Sequence, residues 1–416
     1  MKKVFSGFSI ISFIQIINNL LPLLYIPYIT RILGPKEYGF TVLLTSVVLY
    51  FTIFIAFGLD KLAIRNYVLN PNEKVLNELF NSVLSIQILL TLISIILFLI
   101  ALNVYEPLRV NPMSSWFAFL TIIGTLMTQN WIFQAKQEMK IVGLTSLLSK
   151  VFLCVFIFIF IKNAEDTSKY LFLMSLSVIL SGFLSFVLAI KRYDLKVRFI
   201  RFSKMKLLIN ESYIFFYSSL LITFYSSSNI LIAGYFCNDL QVGFFAGGMK
   251  LISIVIMLIN YPLNVVLFPY FGLMISQKNY NNNLKLISLI LIVLIIISLI
   301  IYLSAAWIIN FIYGQEFEDS IIILKSLVLI PVFSALNNFL GLYLLTNLKF
   351  ETLYTKAITI GIIIGTTMSI ILVKKIGIIG LTIGWNLSEI LTLISLLLLV
   401  YLNKNIWFKV LEILGR

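Results

Sequence analysis

Stretches of about eighteen or more residues that are almost free of charge recur along the whole chain. A segment of that kind is long enough to cross the hydrocarbon of a bilayer, where every backbone N–H and C=O must be paired within the protein. Helices and closed barrels meet that demand. The alternation of apolar and polar residues that a barrel strand needs is absent, so the chain is read as helical. Composition agrees: 60% of the 416 residues are hydrophobic, only 12% are charged, and the mean hydropathy is +1.04. A water-soluble domain carries about 25% charge. The expected fold class is all-α, a polytopic membrane protein of about twelve transmembrane helices.

Spans are expected near 8–30, 40–58, 79–102, 114–135, 141–162 and 169–190, then 211–235, 242–268, 284–309, 321–345, 354–373 and 377–402. Met1-Lys2-Lys3 precedes an apolar stretch too long for a signal peptide and without a small-residue cleavage site, so the first span is read as retained. With the N-terminus inside, 21 of the 31 Lys and Arg fall in cytoplasmic segments and 7 in outer ones. That bias places both termini in the cytoplasm and requires an even number of spans. It also explains the net charge of +14 without nucleic acid, because no compact basic domain exists to hold a polynucleotide.

The longest polar break, 191–210, holds Lys191, Arg192, Lys196, Arg198, Arg201, Lys204 and Lys206 against the single acid Asp194 among its first residues. It separates six spans from six, so the chain reads as an N-terminal bundle (1–190), a basic cytoplasmic connector (191–210), a C-terminal bundle (211–403) and an interfacial tail (404–416). A faint echo relates the halves: Tyr38-Gly39-Phe40 follows span 1, and Val242-Gly243-Phe244 follows span 7.

Several chemistries are excluded. The chain has no histidine, the usual general base and metal ligand. Cys154 and Cys237, in or beside apolar spans, form neither a disulfide framework nor a metal site, and no cofactor is expected. The outer loops are short and their acids scattered; the cluster Glu316, Glu318 and Asp319 reads as a solvated turn. A membrane glycosyltransferase or polymerase would need a larger outer segment, so the chain is not read as an enzyme.

Charge at bilayer depth is costly and marks candidate function. Lys150 stands roughly 15 Å into span 5, at about 1.5 Å per residue, on a face with Gly143, Ser146 and Cys154. Lys250 lies at similar depth in span 8 beside Gly243, Ala246, Gly247 and Ser253, whereas Lys325 is close enough to its helix end to snorkel. These lysines read either as cations of a hydrated cavity or as partners of the intramembrane acid Glu389. Glu389 lies on a polar stripe with Thr382, Trp385, Asn386 and Thr392 and is a candidate for ion coupling. Further polar faces carry Gln15, Asn18 and Asn19 in span 1, Gln129 in span 4, Asn229 in span 7, and Asn337 and Asn338 in span 10. Any one of these amides is explained as interhelical glue. Together they describe a lumen with hydroxyls and amides suited to sugar and ammonium groups suited to phosphate.

Two segments carry a family resemblance. Pro27-Tyr28-Ile29-Thr30-Arg31-Ile32-Leu33-Gly34-Pro35-Lys36-Glu37-Tyr38-Gly39 resembles the first-loop signature of bacterial polysaccharide flippases of the Wzx type, and Phe57-Gly58-Leu59-Asp60-Lys61-Leu62-Ala63-Ile64-Arg65 resembles their second-span end. That family belongs to the MOP superfamily, which also holds the MATE exporters and the lipid II flippase MurJ. The resemblance implies two bundles in a V around a cavity of alternating access in the bacterial inner membrane. The implied cargo is an undecaprenyl-pyrophosphate-linked oligosaccharide for O-antigen or capsule. It further implies head-group contact or interface anchoring for Arg31 and Arg65. The partners implied are membrane lipid, the polysaccharide polymerase and the chain-length machinery. A cation-coupled multidrug exporter of the same architecture, and a membrane polysaccharide polymerase, are the alternatives.

Overall fold

The computed structural model describes residues 2–277 and 283–413; the side chains of 2–16, 19–20 and 202–203 are not described. All described elements are helical, and they fall into two compact units, Met1–Ser227 and Ser228–Arg416.

The first unit contains α1 (Lys2–Ala56), α2 (Leu59–Leu69), α3 (Glu73–Val104), α4 (Glu106–Val110), α5 (Pro112–Phe119), α6 (Thr121–Met127), α7 (Asn130–Ala135), α8 (Met139–Phe160) and α9 (Thr167–Tyr193), with the first part of α10 (Phe202–Phe236). Where the sequence predicts a loop between spans 1 and 2, the chain stays helical across the join. The break is confined to Gly34, at φ 68 and ψ 173, ahead of Pro35. A positive φ is open to glycine at little cost, and the proline has no N–H to continue the ladder. Among the described residues eleven stretches are long and apolar enough to cross a membrane. The first of them, Leu21–Leu69, has 49 residues and is divided at Gly34 within a helix that begins at Lys2, so by length it would serve two of the twelve expected spans.

The end of span 2 turns at Phe57 (φ 43) and Gly58 (φ 67). A Cβ on Gly58 would sit 2.5 Å from the Phe215 Cβ and 2.7 Å from the Phe216 nitrogen, so a larger residue would push α10 away. Span 4 is also not one helix. It is divided into α5, α6 and α7, with Thr128 extended, because the Gln129 backbone N–H turns to the Ser185 hydroxyl of α9 at 3.1 Å. The core of the unit is aromatic, with Phe98 stacked on Phe119 at 3.9 Å between ring centroids and Trp131 and Phe133 fully buried. Met205, Leu208, Ile209 and Phe216 of α10 pack on this core, which is why the unit extends past the connector into α10.

The second unit contains α11 (Asp239–Gln277), α12 (Asn283–Ile312), α13 (Ser320–Leu327), α14 (Ile330–Asn337), a π-helix over Asn338–Leu345, α15 (Glu351–Ile376), α16 (Ile379–Leu402) and α17 (Lys404–Ile413). Gly361 and Gly365 of α15 admit Thr392 and Ser388 of α16 so closely that a Cβ at either glycine would overlap them. The tail helix α17 buries Ile406, Val410 and Ile413 on a core shared with Phe271, Leu396 and Val400. The amide of buried Asn283 donates to the Ile413 carbonyl at 2.8 Å.

Candidate functional site

In the first unit the intramembrane cation is attached to the helix α1 at a proline. Pro22 of α1 lacks the N–H that the carbonyl of Asn18, four residues earlier, would accept in a helix. The Lys150 ammonium on α8 donates to that carbonyl at 2.8 Å. Asn18 is 2% exposed; its amide donates to the Gly143 carbonyl at 3.2 Å and accepts from the Ser146 hydroxyl at 3.4 Å. The acceptor in this bond is a neutral backbone carbonyl.

The same unit holds an open-sided cavity of about 430 Å³ lined by spans 2, 4 and 6. Thr45, Thr52, Thr121, Thr125 and Ser175 supply hydroxyls, and Leu49 and Met174 are among the apolar residues. Thr45, Thr52 and Thr125 donate to helix carbonyls, and Thr121 pairs with Ser175 at 2.9 Å. The space is uncharged, with aliphatic walls and hydroxyl oxygens.

In the second unit the site centres on Glu389 of α16. The Asn337 amide donates to its carboxylate at 2.7 Å and to its backbone carbonyl at 3.1 Å, and both residues are 5% exposed. Asn337 ends α14 where the ladder widens into the π-helix, a distortion that recurs at functional sites. Tyr354 of α15 donates to Asn338 at 3.3 Å, its ring lying where a Cβ on Gly341 would be. Among the described residues, the Asn337 side-chain oxygen and the Ser388 hydroxyl are buried without a hydrogen-bond partner. The carboxylate is thus held by an amide whose own oxygen is buried without a partner, a polar site within the unit.

The other predicted residues divide. Lys250 on α11 is exposed and makes no hydrogen bond or ion pair among the described residues. Lys325 lies 5.2 Å over the Tyr302 ring, and Arg31 is exposed. Asn386 bridges spans, donating at 2.8 Å to the Ser326 carbonyl near the end of α13, close to Pro331. Asn229 is buried. Gln129 corrects the lumen expectation: it is fully buried, donates to Gln87 at 3.4 Å and accepts from the Trp131 indole at 2.9 Å. Its amide ties α6–α7 to α3 through Gln87. The side chains of Gln15 and Asn19 lie outside the described residues. The sequence reading missed Gln87, and it did not join Asn18 to Lys150, although the Asn18/Pro22 spacing of four marks the freed carbonyl.

At the outer corner, Glu37 of the 27–39 signature accepts from the Thr167 hydroxyl at 2.9 Å, and the Tyr28 hydroxyl donates to the Ile161 carbonyl at 2.7 Å. The signature thus fixes the turn between α8 and α9. On the cytoplasmic side Lys136 pairs with Glu73 at 2.7 Å and stands 5.2 Å from the Tyr67 and Tyr193 rings. Burial pulls the Lys136 ammonium down, but the hydrogen bonds to Glu73 and Tyr67 together outweigh it and hold it above the usual lysine value.

The comparisons with known proteins agree with this architecture. Two curated relatives, both named "Putative O-antigen transporter", align nearly end to end. That of Escherichia coli (strain K12) is 24% identical over 399 residues, covering 93% of this chain and 94% of the relative. That of Shigella dysenteriae is 22% identical over 385 residues, covering 91% and 96%. The lipid II flippase MurJ in an inward closed conformation shares the fold with a TM-score of 0.72 at 15% identity, over 94% of this chain and 87% of that one. An inward-facing multidrug resistance MATE family transporter of the MOP superfamily matches equally, at 0.72 and 16% identity, over 93% and 96%. The chain is thus an all-α, multi-pass membrane protein with the MOP-superfamily fold. The family model described as polysaccharide biosynthesis protein matches residues 4–275, and the chain belongs to that family.

Proposed function

We propose that the protein is a flippase that carries undecaprenyl-pyrophosphate-linked oligosaccharide units from the inner to the outer leaflet of the bacterial cytoplasmic membrane. The observation that carries this reading is an ammonium at bilayer depth, Lys150, set among amide and hydroxyl groups and hydrogen-bonded to a carbonyl. Full-length relatives named as O-antigen transporters support it. Lys150 and the exposed Lys250 neutralise the pyrophosphate, while hydroxyls and amides stand in for the water of the sugar. Moving bare pyrophosphate through hydrocarbon would be prohibitive, and a wetted cationic path removes most of that cost. The polyprenyl tail stays in lipid. The two six-span bundles alternate access around the connector, with Glu389 carrying the coupling ion.

The test is deletion of the gene followed by an assay of which leaflet holds the lipid-linked units. Accumulation on the inner leaflet, rescued by the wild-type chain but not by Lys150→Ala or Lys250→Ala expressed at equal levels, is the expected result. Normal surface polysaccharide after deletion, in a strain without a second flippase, overturns the reading.

A further inference from the structure

The connector between α9 and α10 is not a slack loop. After Asp194, which closes α9 with φ 50, residues 195–201 run extended along α3. The Lys196 N–H donates to the Asn77 side chain at 2.8 Å, and the Asn81 amide donates to the Lys196 carbonyl at 2.9 Å. The Arg198 N–H donates to Asn81, and the Ile200 N–H donates to the Ser85 hydroxyl at 3.3 Å. The two periods match. Asn77, Asn81 and Ser85 recur every four residues, about 6.0 Å along a helix. Residues 196, 198 and 200 recur every two, about 6.6 Å along an extended chain. Leu195 is buried in the core of the unit and anchors the start.

The ladder fixes a direction as well as a position. Residue 196 lies at the level of Asn77, near the cytoplasmic start of α3, and residue 200 lies at the level of Ser85, inside the apolar part of the span. The strap therefore climbs about 12 Å along α3, at 1.5 Å per helical residue. It carries Arg198 and Arg201 from the polar first turns of α3 towards its apolar run. Between them Phe199 is 73% exposed, and Val197 beside them is 51% exposed. Of the seven basic residues in 191–210, Arg192 is engaged by Glu138 at 2.7 Å. Lys191, Lys196, Arg198, Arg201, Lys204 and Lys206 have no ion-pair or hydrogen-bond partner for their charge among the described residues.

We infer that residues 196–201 form a rigid strap that binds the phosphate head groups of anionic phospholipids in the cytoplasmic leaflet. Arg198 and Arg201 meet the phosphates, and Phe199 and Val197 insert beneath them. Charge complementarity selects the partner: the cytoplasmic surface is the one toward which this chain directs its basic residues, and anionic lipid is the apposed opposite charge. The apolar pair distinguishes a lipid surface from a soluble anion, which would leave Phe199 and Val197 in water. Because the strap is fixed through its backbone, its side chains reach the lipid without an ordering cost at each encounter.

The test uses the full chain with Phe199→Cys in a Cys154→Ser/Cys237→Ser background, spin-labelled and reconstituted in phosphatidylcholine vesicles with and without phosphatidylglycerol. Collisions with oxygen and with a water-soluble nickel chelate report depth. The label should be shielded from the chelate, more so with phosphatidylglycerol, and molar salt should abolish that increment. Adding Arg198→Gln and Arg201→Gln should lower the apparent affinity for phosphatidylglycerol by roughly fivefold per charge removed. The hydrophobic shielding by phosphatidylcholine should remain, since the backbone ladder is untouched. The proposal is overturned by free access of the chelate in both lipids, or by a phosphatidylglycerol effect indifferent to the two arginines. It is equally overturned by a response to undecaprenyl pyrophosphate alone, which would make the strap a substrate contact.

Discussion

The Lys150 ammonium occupies the position on the Asn18 carbonyl that the absent N–H of Pro22 leaves vacant, at 2.8 Å. The proline and the cation are therefore parts of one arrangement. An orphaned buried carbonyl costs about 1–3 kcal/mol, so Lys150→Met is expected to destabilise the protein by that order. Pro22→Ala supplies the missing N–H and removes the need for the lysine. In the Pro22→Ala background the cost of Lys150→Met should fall to less than half, read as unfolding midpoints in detergent by tryptophan fluorescence. Equal costs in both backgrounds would show that proline and lysine act separately. Pro22→Ala alone should also lower transport, because its N–H competes with the ammonium for the Asn18 carbonyl.

Glu389 and Asn337 form the corresponding pair in the second unit, with charge and amide both buried. Glu389→Gln keeps an oxygen for the Asn337 amide and removes the charge. It is expected to fold with near-wild-type stability, while transport in vesicles loses its response to an imposed proton or sodium gradient. Glu389→Leu leaves the Asn337 amide unsatisfied and should cost about 1–3 kcal/mol in addition. A Glu389→Gln variant with an unchanged gradient response would remove the acid from the coupling step.

How much of this was legible beforehand follows from what each feature depends on. The spans depend on solvent: lipid forces hydrogen-bonded helices, so they could be read from the apolar runs along the chain. Lys150 and Glu389 stood out because charge at that depth is rare. The partners of those charges were not legible, because Asn18 and Lys150 are separated by 132 residues and meet only through packing. The halves of span 4 were merged in the sequence reading because Thr128 and Gln129 carry no proline or glycine signal. Their break is set by Ser185 on α9. Gln129 was assigned to a lumen for the same reason, since a polar residue in a span looks alike whether it faces water or Gln87.

The ladder of Asn77, Asn81 and Ser85 makes a claim about proteolysis. Asn81 holds both the Lys196 carbonyl and the Arg198 N–H, so Asn81→Ala removes two contacts and releases the middle of the strap. Trypsin needs a locally opened chain at Lys196, Arg198 and Arg201. Cleavage there should accelerate roughly tenfold or more if opening becomes easier by about 1.4 kcal/mol, the size of one to two net hydrogen bonds. The sites are followed by mass spectrometry of the digested protein in detergent. A rate equal to wild type would mean that the strap is held by Leu195 and the helix ends alone.

Cys237 lies between α10 and α11, outside the spans, and the positive-inside orientation places that turn on the outer surface. Burial pushes its thiol above the ordinary cysteine value. The thiolate is the reactive form, so a raised pKa means a smaller reactive fraction at neutral pH. A membrane-impermeant maleimide added to intact cells or right-side-out vesicles should therefore label Cys237 slowly near pH 7. The rate should keep rising as the pH passes the ordinary thiol range of about 8.5. Cys154, within α8, should stay unlabelled throughout that range. Faster labelling of Cys237 from the cytoplasmic side would invert the assigned orientation, and with it the placement of the basic strap on the inner leaflet.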